Sequence, residues 1–444
     1  MLKILTQILS GSELGARSIR NVAIKLLSIP IALTTNIILA RLLGVEGLGV
    51  YGVSISIVML MAMPITTSLD TTLVRSVGKL HGDNRNGDIT SVVKFVLVIA
   101  LIAVLFYYLF IGVFLNVFPE GIYSAILPYT LIFYPAFLLL ALGGSMLRSI
   151  DYVTLGVLPE QILRQAIFML SLVLAYFVFT GDQLLAEDAM RMHALSNVVT
   201  SGVAVMMLLY ATRSIQGGLL TGVRDKLEWA KYYYGYWPLL VLGFVQVAST
   251  QVPMLLIGAL GLPADAGLFR VSEQLVALCG LGLVSVNLAF GPMFAKVTAD
   301  KGSMQQTITK ASKMILVMVI PATIILMIWP KIILTTLFGE SFESAATALR
   351  IMCIGTAVSA MVGPVGLVLN ILGYEKKTLL GMQISLAVNV ITCLLLVPDF
   401  GVIGAAIAFC STKIVWNGVL LFYLYKETGL STVPYLLSPK TVLE

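Results

Sequence analysis

Arg270 and Glu273 stand three residues apart inside an apolar stretch, with Gln274 next to them, so all three share roughly one helix face. A guanidinium so placed can hold a phosphate or carboxylate, and the adjacent carboxylate can carry a coupling proton. The same pair also reads as an Arg–Glu couple that neutralises itself, or as an Arg270 that snorkels to the outer headgroups. Lys413 lies about eleven residues into another apolar run, near mid-bilayer at 1.5 Å per residue. Snorkelling from there is difficult, so its ammonium must face protein, as an anion ligand or as an interhelical hydrogen-bond donor, with Asn417 at i+4. Lys25 follows Arg17 and Arg20 at the start of a first apolar segment. It reads as a positive anchor or as a first contact for an anionic headgroup. Arg164 has Glu160 four residues before it, the favourable order for a helical ion pair; a structural pair and a further anion ligand are the two readings. Asp70, Arg41, Arg191, Lys331 and Arg350 fall near the ends of apolar segments and read mainly as interface residues.

Other chemistries find little support. The cysteines, Cys279, Cys353, Cys393 and Cys410, all sit in apolar runs without CxxC spacing, which fits small buried hydrophobes better than a disulfide or metal site. His81 and His193 form no pair for metal or triad chemistry. No GxxxxGK[ST] pattern exists, so nucleotide hydrolysis within this chain is not supported. No catalytic residue, metal ligand set or cofactor is expected.

The elements that must position these residues are membrane spans. The chain is 59% hydrophobic and 11% charged, with a mean hydropathy of +0.98, where globular domains carry roughly 25% charged residues. Most of its surface must therefore face lipid. Stretches of about 20 apolar residues place spans near 22–42, 48–69, 93–117, 122–146, 157–179, 189–211, 234–260, 266–295, 312–335, 345–371, 378–397 and 402–425. Of the 28 Lys and Arg, 21 fall in alternate connecting segments and the termini, while the other loops carry acidic residues only. The net charge of +6 is thus a topology signal, with both termini cytoplasmic, and nucleic-acid binding is not expected. Residues 1–20 read as an interfacial lead-in and not as a cleavable signal.

The chain also repeats itself. Leu43-Gly44 and Gly49-Val50-Tyr51-Gly52-Val53-Ser54 parallel Leu260-Gly261 and Gly267-Leu268-Phe269-Arg270-Val271-Ser272; Leu147 and Tyr152 parallel Leu369 and Tyr374. Six spans separate the copies, an even number, so both keep the same orientation. The expected fold class is an all-α polytopic membrane protein of about twelve transmembrane helices in two six-helix lobes, a parallel repeat typical of transporters. The expected division is 1–212, a cytoplasmic linker 213–233, and 234–444. In the repeat, Gly52 and Ile55 stand where the second copy has Arg270 and Glu273.

The stretches ARLLGVEGLGVYG (40–52), SMLRSIDYVTLGVLPEQILRQ (145–165), DAGLFRVSEQLV (265–276), LFGESFESAATALRIM (337–352), VLNILGYEKKT (368–378) and VPDFGVIGAAIA (397–408) resemble the polysaccharide-biosynthesis flippases of the multidrug/oligosaccharidyl-lipid/polysaccharide exporter superfamily. The resemblance runs in order along the whole chain, on loose Gly/Pro and boundary patterns. It implies two lobes around a central cavity that opens alternately to the two sides. The implied cargo is an undecaprenyl-diphosphate-linked oligosaccharide for O-antigen, capsule or exopolysaccharide, moved across a bacterial inner membrane. Membrane lipids, and a polymerase and chain-length regulator of the same pathway, are the implied partners. The related lipid II flippases usually have two further C-terminal spans, which disfavours that assignment. Because a bare diphosphate cannot cross hydrocarbon unpaired, Arg270, Lys413, Lys25 and Arg164 are the expected substrate-binding residues and Glu273 the expected proton-coupling one.

Two rivals share this hydropathy. An ion-coupled multidrug or organic cation antiporter on the same fold would want acidic, aromatic-lined pockets, whereas the intramembrane charges here lean basic. A membrane polysaccharide polymerase would usually need a sizeable outer loop or an acidic cluster, and every outer loop here is short.

Overall fold

The computed structural model describes residues 13–82, 86–117, 121, 123–178, 184–213 and 229–433. The side chains at 13–23, 25, 26, 86–88, 114–117, 178, 213 and 229–234 lie outside the described ones. The lead-in before residue 13, residues 214–228 of the expected linker 213–233 and the tail after 433 also lie outside.

Among the described residues the elements are helical. They are α1 (Glu13–Gly82), α2 (Asn86–Val117), α3 (Leu127–Ser149), α4 (Val153–Leu158), α5 (Arg164–Val178), α6 (Ala186–Arg213), α7 (Trp229–Ala259), α8 (Pro263–Lys296), α9 (Lys301–Ile328), α10 (Pro330–Phe338), α11 (Ala346–Val362), α12 (Val365–Ile371) and α13 (Glu375–Thr428). Ten helical stretches are long and apolar enough to cross a membrane. Both α1 and α13 have the length for two crossings and break midway, at Gly44 (φ 65°) and Gly401 (φ 52°). About twelve spans result, as the sequence predicts.

Burial, and not polarity, distinguishes the faces of these helices. On α2, Leu97, Leu101, Leu105 and Leu109 form an exposed row at four-residue spacing, while Val96, Ala100, Ala103, Tyr107 and Ile111 are buried behind it. An all-round apolar helix of this kind turns one face to lipid and the other to protein. Ser and Thr inside the spans donate to their own helix, as Thr72 does to the Ser68 carbonyl (2.8 Å) and Thr200 to that of Ser196 (2.6 Å). Each such bond satisfies a hydroxyl that would otherwise be bare in hydrocarbon.

The expected repeat recurs as repeated backbone geometry. Positive φ angles occur at Gly44 (65°) and Gly261 (70°), at Gly121 (88°) and Gly339 (114°), and at Asp151 (68°) and Gly373 (85°). The Tyr152 amide donates to the Leu147 carbonyl, and the Tyr374 amide to that of Leu369, both at 2.9 Å.

Two spans differ from expectation. The span over 345–371 is broken: α11 stops at Val362, Gly363 takes φ 77°, and α12 restarts after Pro364. Pro364 has no amide proton to continue the ladder and restricts the residue before it. The span over 157–179 contains a π-helical turn, Pro159–Leu163, closed by the Arg164 amide on the Pro159 carbonyl. Such turns insert one extra residue into a helix.

The chain forms two compact units. Unit 1 comprises residues 1–43 and 54–247. Its α3 packs on α6, and Leu69, Leu73, Phe95, Val96, Leu147 and Tyr236 share one core. Unit 2 comprises residues 44–53 and 248–444, with α11 packed on α13 and α9 on α8. The short Gly44–Val53 stretch of α1 thus packs with unit 2. Gly49 and Gly267 make this possible: a Cβ on Gly49 would collide with the Pro263 carbonyl, and one on Gly267 with that of Val45.

Candidate functional site in unit 2

A cavity of about 410 Å³ lies within unit 2, walled by α8, α11, the second half of α13 and the Gly363–Pro364 break. Irregular backbone at membrane depth is tolerated where it lines such a space. Two charged side chains line it, Glu273 and Lys413, together with Thr250, Asn287, Asn417 and the Trp416 indole.

Lys413 reaches this wall because α11 and α13 approach closely at Gly355. A Cβ there would fall 2.9 Å from Cys410 Cα and 3.4 Å from Lys413 Cβ. Asn417, expected as a neighbour of the ammonium, serves the backbone. Its amide donates to the Lys413 carbonyl (2.8 Å) and to Ser359 Oγ on α11 (2.9 Å). That ties the Lys413 turn to the opposite helix. The Lys413 ammonium lies 5.4 Å from the centre of the Phe409 ring, one turn back, a cation–π placement.

Arg270 and Glu273 are joined across one helical turn, Nη1 to Oε2 at 3.6 Å, with 26% and 25% of the side chains exposed. Glu273 also lines the same cavity as Lys413 and lies within reach of its field. Gly52 lies beside the pair: a Cβ at that position would crowd Met254 at 2.9 Å and stand in ordinary contact with the Arg270 stem at 3.8 Å. Of the sequence-predicted residues, Arg270, Glu273 and Lys413 therefore come together.

Arg164 does not join them. It belongs to unit 1, where its guanidinium lies 5.6 Å from the Phe137 ring centre and its Nε donates to the Glu160 carbonyl (3.4 Å). The expected Glu160–Arg164 side-chain pair is replaced by another: Glu160 meets Arg148 of α3 at 3.3 Å. Lys25 is on α1, but its side chain lies outside the described residues.

Arg148, just past the apolar run over 122–146 and one of the 21 basic residues counted in connecting segments, holds a larger place in the structure than the sequence suggests. It occupies the last turn of α3, 20% exposed, and binds four acceptors. These are Asp70 (2.7 Å), Ser145 Oγ (3.0 Å), Glu160 (3.3 Å) and the Gly156 carbonyl (3.2 Å). Gly144 and Gly156 allow α3 and α4 to approach closely enough for this. Asp70, read as an interface residue, is one arm of the cluster. The signal available was an Asp just after the apolar run 48–69 and an Arg just after the run 122–146. Lys331 pairs with Glu343 on an exposed surface (2.7 Å), in keeping with its position near a span end. The four cysteines are buried, as their apolar contexts predict.

A sequence profile of the family described as polysaccharide biosynthesis protein matches residues 167–347. A membrane protein of Methanocaldococcus jannaschii is 22% identical over 407 residues, covering 86% of this chain and 78% of that protein. Among solved structures, the lipid II flippase MurJ in an inward closed conformation superposes with a TM-score of 0.74 at 16% identity, over 91% of this chain and 87% of that one. An inward-facing multidrug resistance MATE family transporter of the MOP superfamily gives 0.70 at 11% identity, over 93% and 98%. At those identities the structural likeness speaks for the fold. The profile match covers residues 167–347, and the structural likeness shows a shared fold.

Proposed function

We propose that the protein is an alternating-access flippase. It moves an undecaprenyl-diphosphate-linked oligosaccharide from the cytoplasmic to the outer leaflet of a bacterial inner membrane, with both termini cytoplasmic, for O-antigen, capsule or exopolysaccharide assembly. The observation that carries this reading is the cavity of unit 2, with Lys413 and Glu273 in its wall and Arg270 bound to Glu273. A lipid-linked glycan has an apolar tail that stays in lipid and a charged, hydroxylated head that does not. Lys413 and Arg270, together with Lys25 and Arg164 in the first repeat, supply the positive charge along the path of that head, and Glu273 carries the coupling proton. A polymerase and a chain-length regulator of the same pathway then receive the translocated unit.

Reconstitution tests this directly. Vesicles holding the protein should move a fluorescent lipid-diphosphate oligosaccharide between leaflets, and Lys413→Ala should lose that movement while still inserting. Equal movement by the variant would remove Lys413 from the mechanism.

The fold shared with a multidrug transporter favours a second reading, ion-coupled export of organic cations. Glu273, beside Phe409 and Trp416 in one cavity, is the feature that serves it. Cation efflux by the reconstituted protein, with no lipid movement, would select that reading.

A further inference from the structure

We infer that the unit 2 cavity binds the glycan end of the headgroup, and that the sugar it takes carries one negative charge, as a hexuronate does. The inference rests on the flippase reading and divides its cargo: the diphosphate is bound elsewhere.

Charge counting comes first. The cavity wall carries one cation, Lys413, and one anion, Glu273. Arg270 is bound to that anion at 3.6 Å. With Glu273 ionised, the three groups together leave a single positive charge. One carboxylate from a ligand completes neutrality, whereas a diphosphate brings about twice the charge into a space that lacks the cations to meet it. An organic cation fares worse, because Glu273 is already engaged by Arg270 and Lys413 stands in the same wall.

The uncharged lining fits a sugar. The volume, about 410 Å³, lies in the range of small-molecule sites, about 300–1,000 Å³. Asn287 lines it and has a buried Oδ1 with no hydrogen-bond partner among the described residues. An acceptor left bare in that way is costly, and a sugar hydroxyl supplies the donor. Trp416 also lines the space, and the negative quadrupole of an indole face suits the electropositive C–H face of a pyranose ring. Lys413 has no hydrogen bond or ion pair within contact distance among the described residues, so its ammonium is held beside the Phe409 ring with donors to spare. The geometry thus places a platform, an acceptor and one unspent cation around one space.

The test uses the purified full chain in nanodiscs and saturation-transfer NMR with three probes: methyl β-D-glucuronide, methyl β-D-glucoside and inorganic pyrophosphate. The glucuronide should bind saturably, at least ten-fold more tightly than the glucoside, and pyrophosphate should not displace it. Lys413→Gln should remove the preference for glucuronide over glucoside, Lys413→Arg should restore it, and Trp416→Ala should weaken both sugars. Pyrophosphate displacing the glucuronide, equal binding of the two sugars, or unaltered binding in Trp416→Ala would each overturn the inference. So would displacement by tetraphenylphosphonium. Leaflet exchange of a lipid-diphosphate oligosaccharide, measured on the same preparation, separates the two proposals. If exchange proceeds but the glucuronide does not bind, the glycan subsite alone is wrong. If no exchange occurs, the flippase reading falls on its own evidence.

Discussion

Gly49 and Gly267, 218 residues apart in sequence, face each other backbone to backbone where the two repeats' corresponding spans begin. The contact is reciprocal. A Cβ on either would strike the main chain four residues before the other, at Pro263 or at Val45. Main chain cannot swing aside as a side-chain tip can, so a methyl group at either position forces the segments apart.

Gly49→Ala and Gly267→Ala should therefore each lower stability by about 1–3 kcal/mol, the usual cost of overpacking. Because both act on one contact, the double variant should fall short of the sum. Thermal unfolding in detergent, followed by size-exclusion fluorescence, measures both.

Arg148→Ala leaves Asp70 and Glu160 together without their shared cation. Breaking a buried pair costs about 3–5 kcal/mol, but partial exposure here (20–40% of the side chains) brings the expected loss to roughly 2–3 kcal/mol. Glu160→Gln should cost less, since Arg148 keeps Asp70 at 2.7 Å. Unfolding midpoints for the two variants should rank in that order.

Gly355→Val should displace the Lys413 turn of α13, because even a Cβ would press on Cys410 Cα. Leaflet exchange should fall at least ten-fold with the protein still in the membrane, a loss of about 1.4 kcal/mol or more in the barrier. Normal exchange would mean that close approach of α11 and α13 is dispensable for Lys413.

Gly373 and Asp151 occupy the same turn of the two repeats, each with positive φ. Gly373→Ala should cost about 1 kcal/mol, the penalty of a left-handed residue bearing a Cβ, and Asp151→Gly should be neutral or mildly stabilising. Opposite signs in the melting shifts would confirm that the turn, and not the side chain, sets the preference.

Asp300 caps α9, accepting from the Gly302 amide (3.1 Å) and the Ser303 amide (3.0 Å). Bonds from Ser303, then Gly302, hold its carboxyl below the usual range. A carboxyl depressed in the folded state stabilises above its unfolded pKa, and that contribution disappears as pH falls through the folded value. Asp300→Ala should thus lower the melting temperature at neutral pH and converge with the parent protein at strongly acidic pH. Asp300→Asn, which keeps an acceptor, should lose less.

Lys413 was legible in the sequence because an ammonium in mid-span has nowhere to go but inward. Its sharing of a cavity wall with Glu273 was not, since nothing local relates residues about 140 positions apart. The Glu160–Arg164 pair failed for a different reason. It presumes a regular α turn, and the chain forms a π turn over Pro159–Leu163, where i,i+4 neighbours no longer align. Arg148 looked like loop charge because hydropathy fades at span ends, while its four acceptors come largely from segments 8 to 78 residues away. Lipid-facing and protein-facing rows on α2 were equally hidden, because Leu109 and Ile111 have the same hydropathy and opposite surroundings.

The Gly44–Val53 stretch has a consequence for how the polypeptide can be divided. A gene cut in the 214–228 linker would give a second fragment missing the ten residues that cover Pro263 and Gly267. That fragment, made alone, would display a bare seam of main chain and associate with copies of itself. Co-translation of the first fragment, which brings those ten residues with it, should rescue the product.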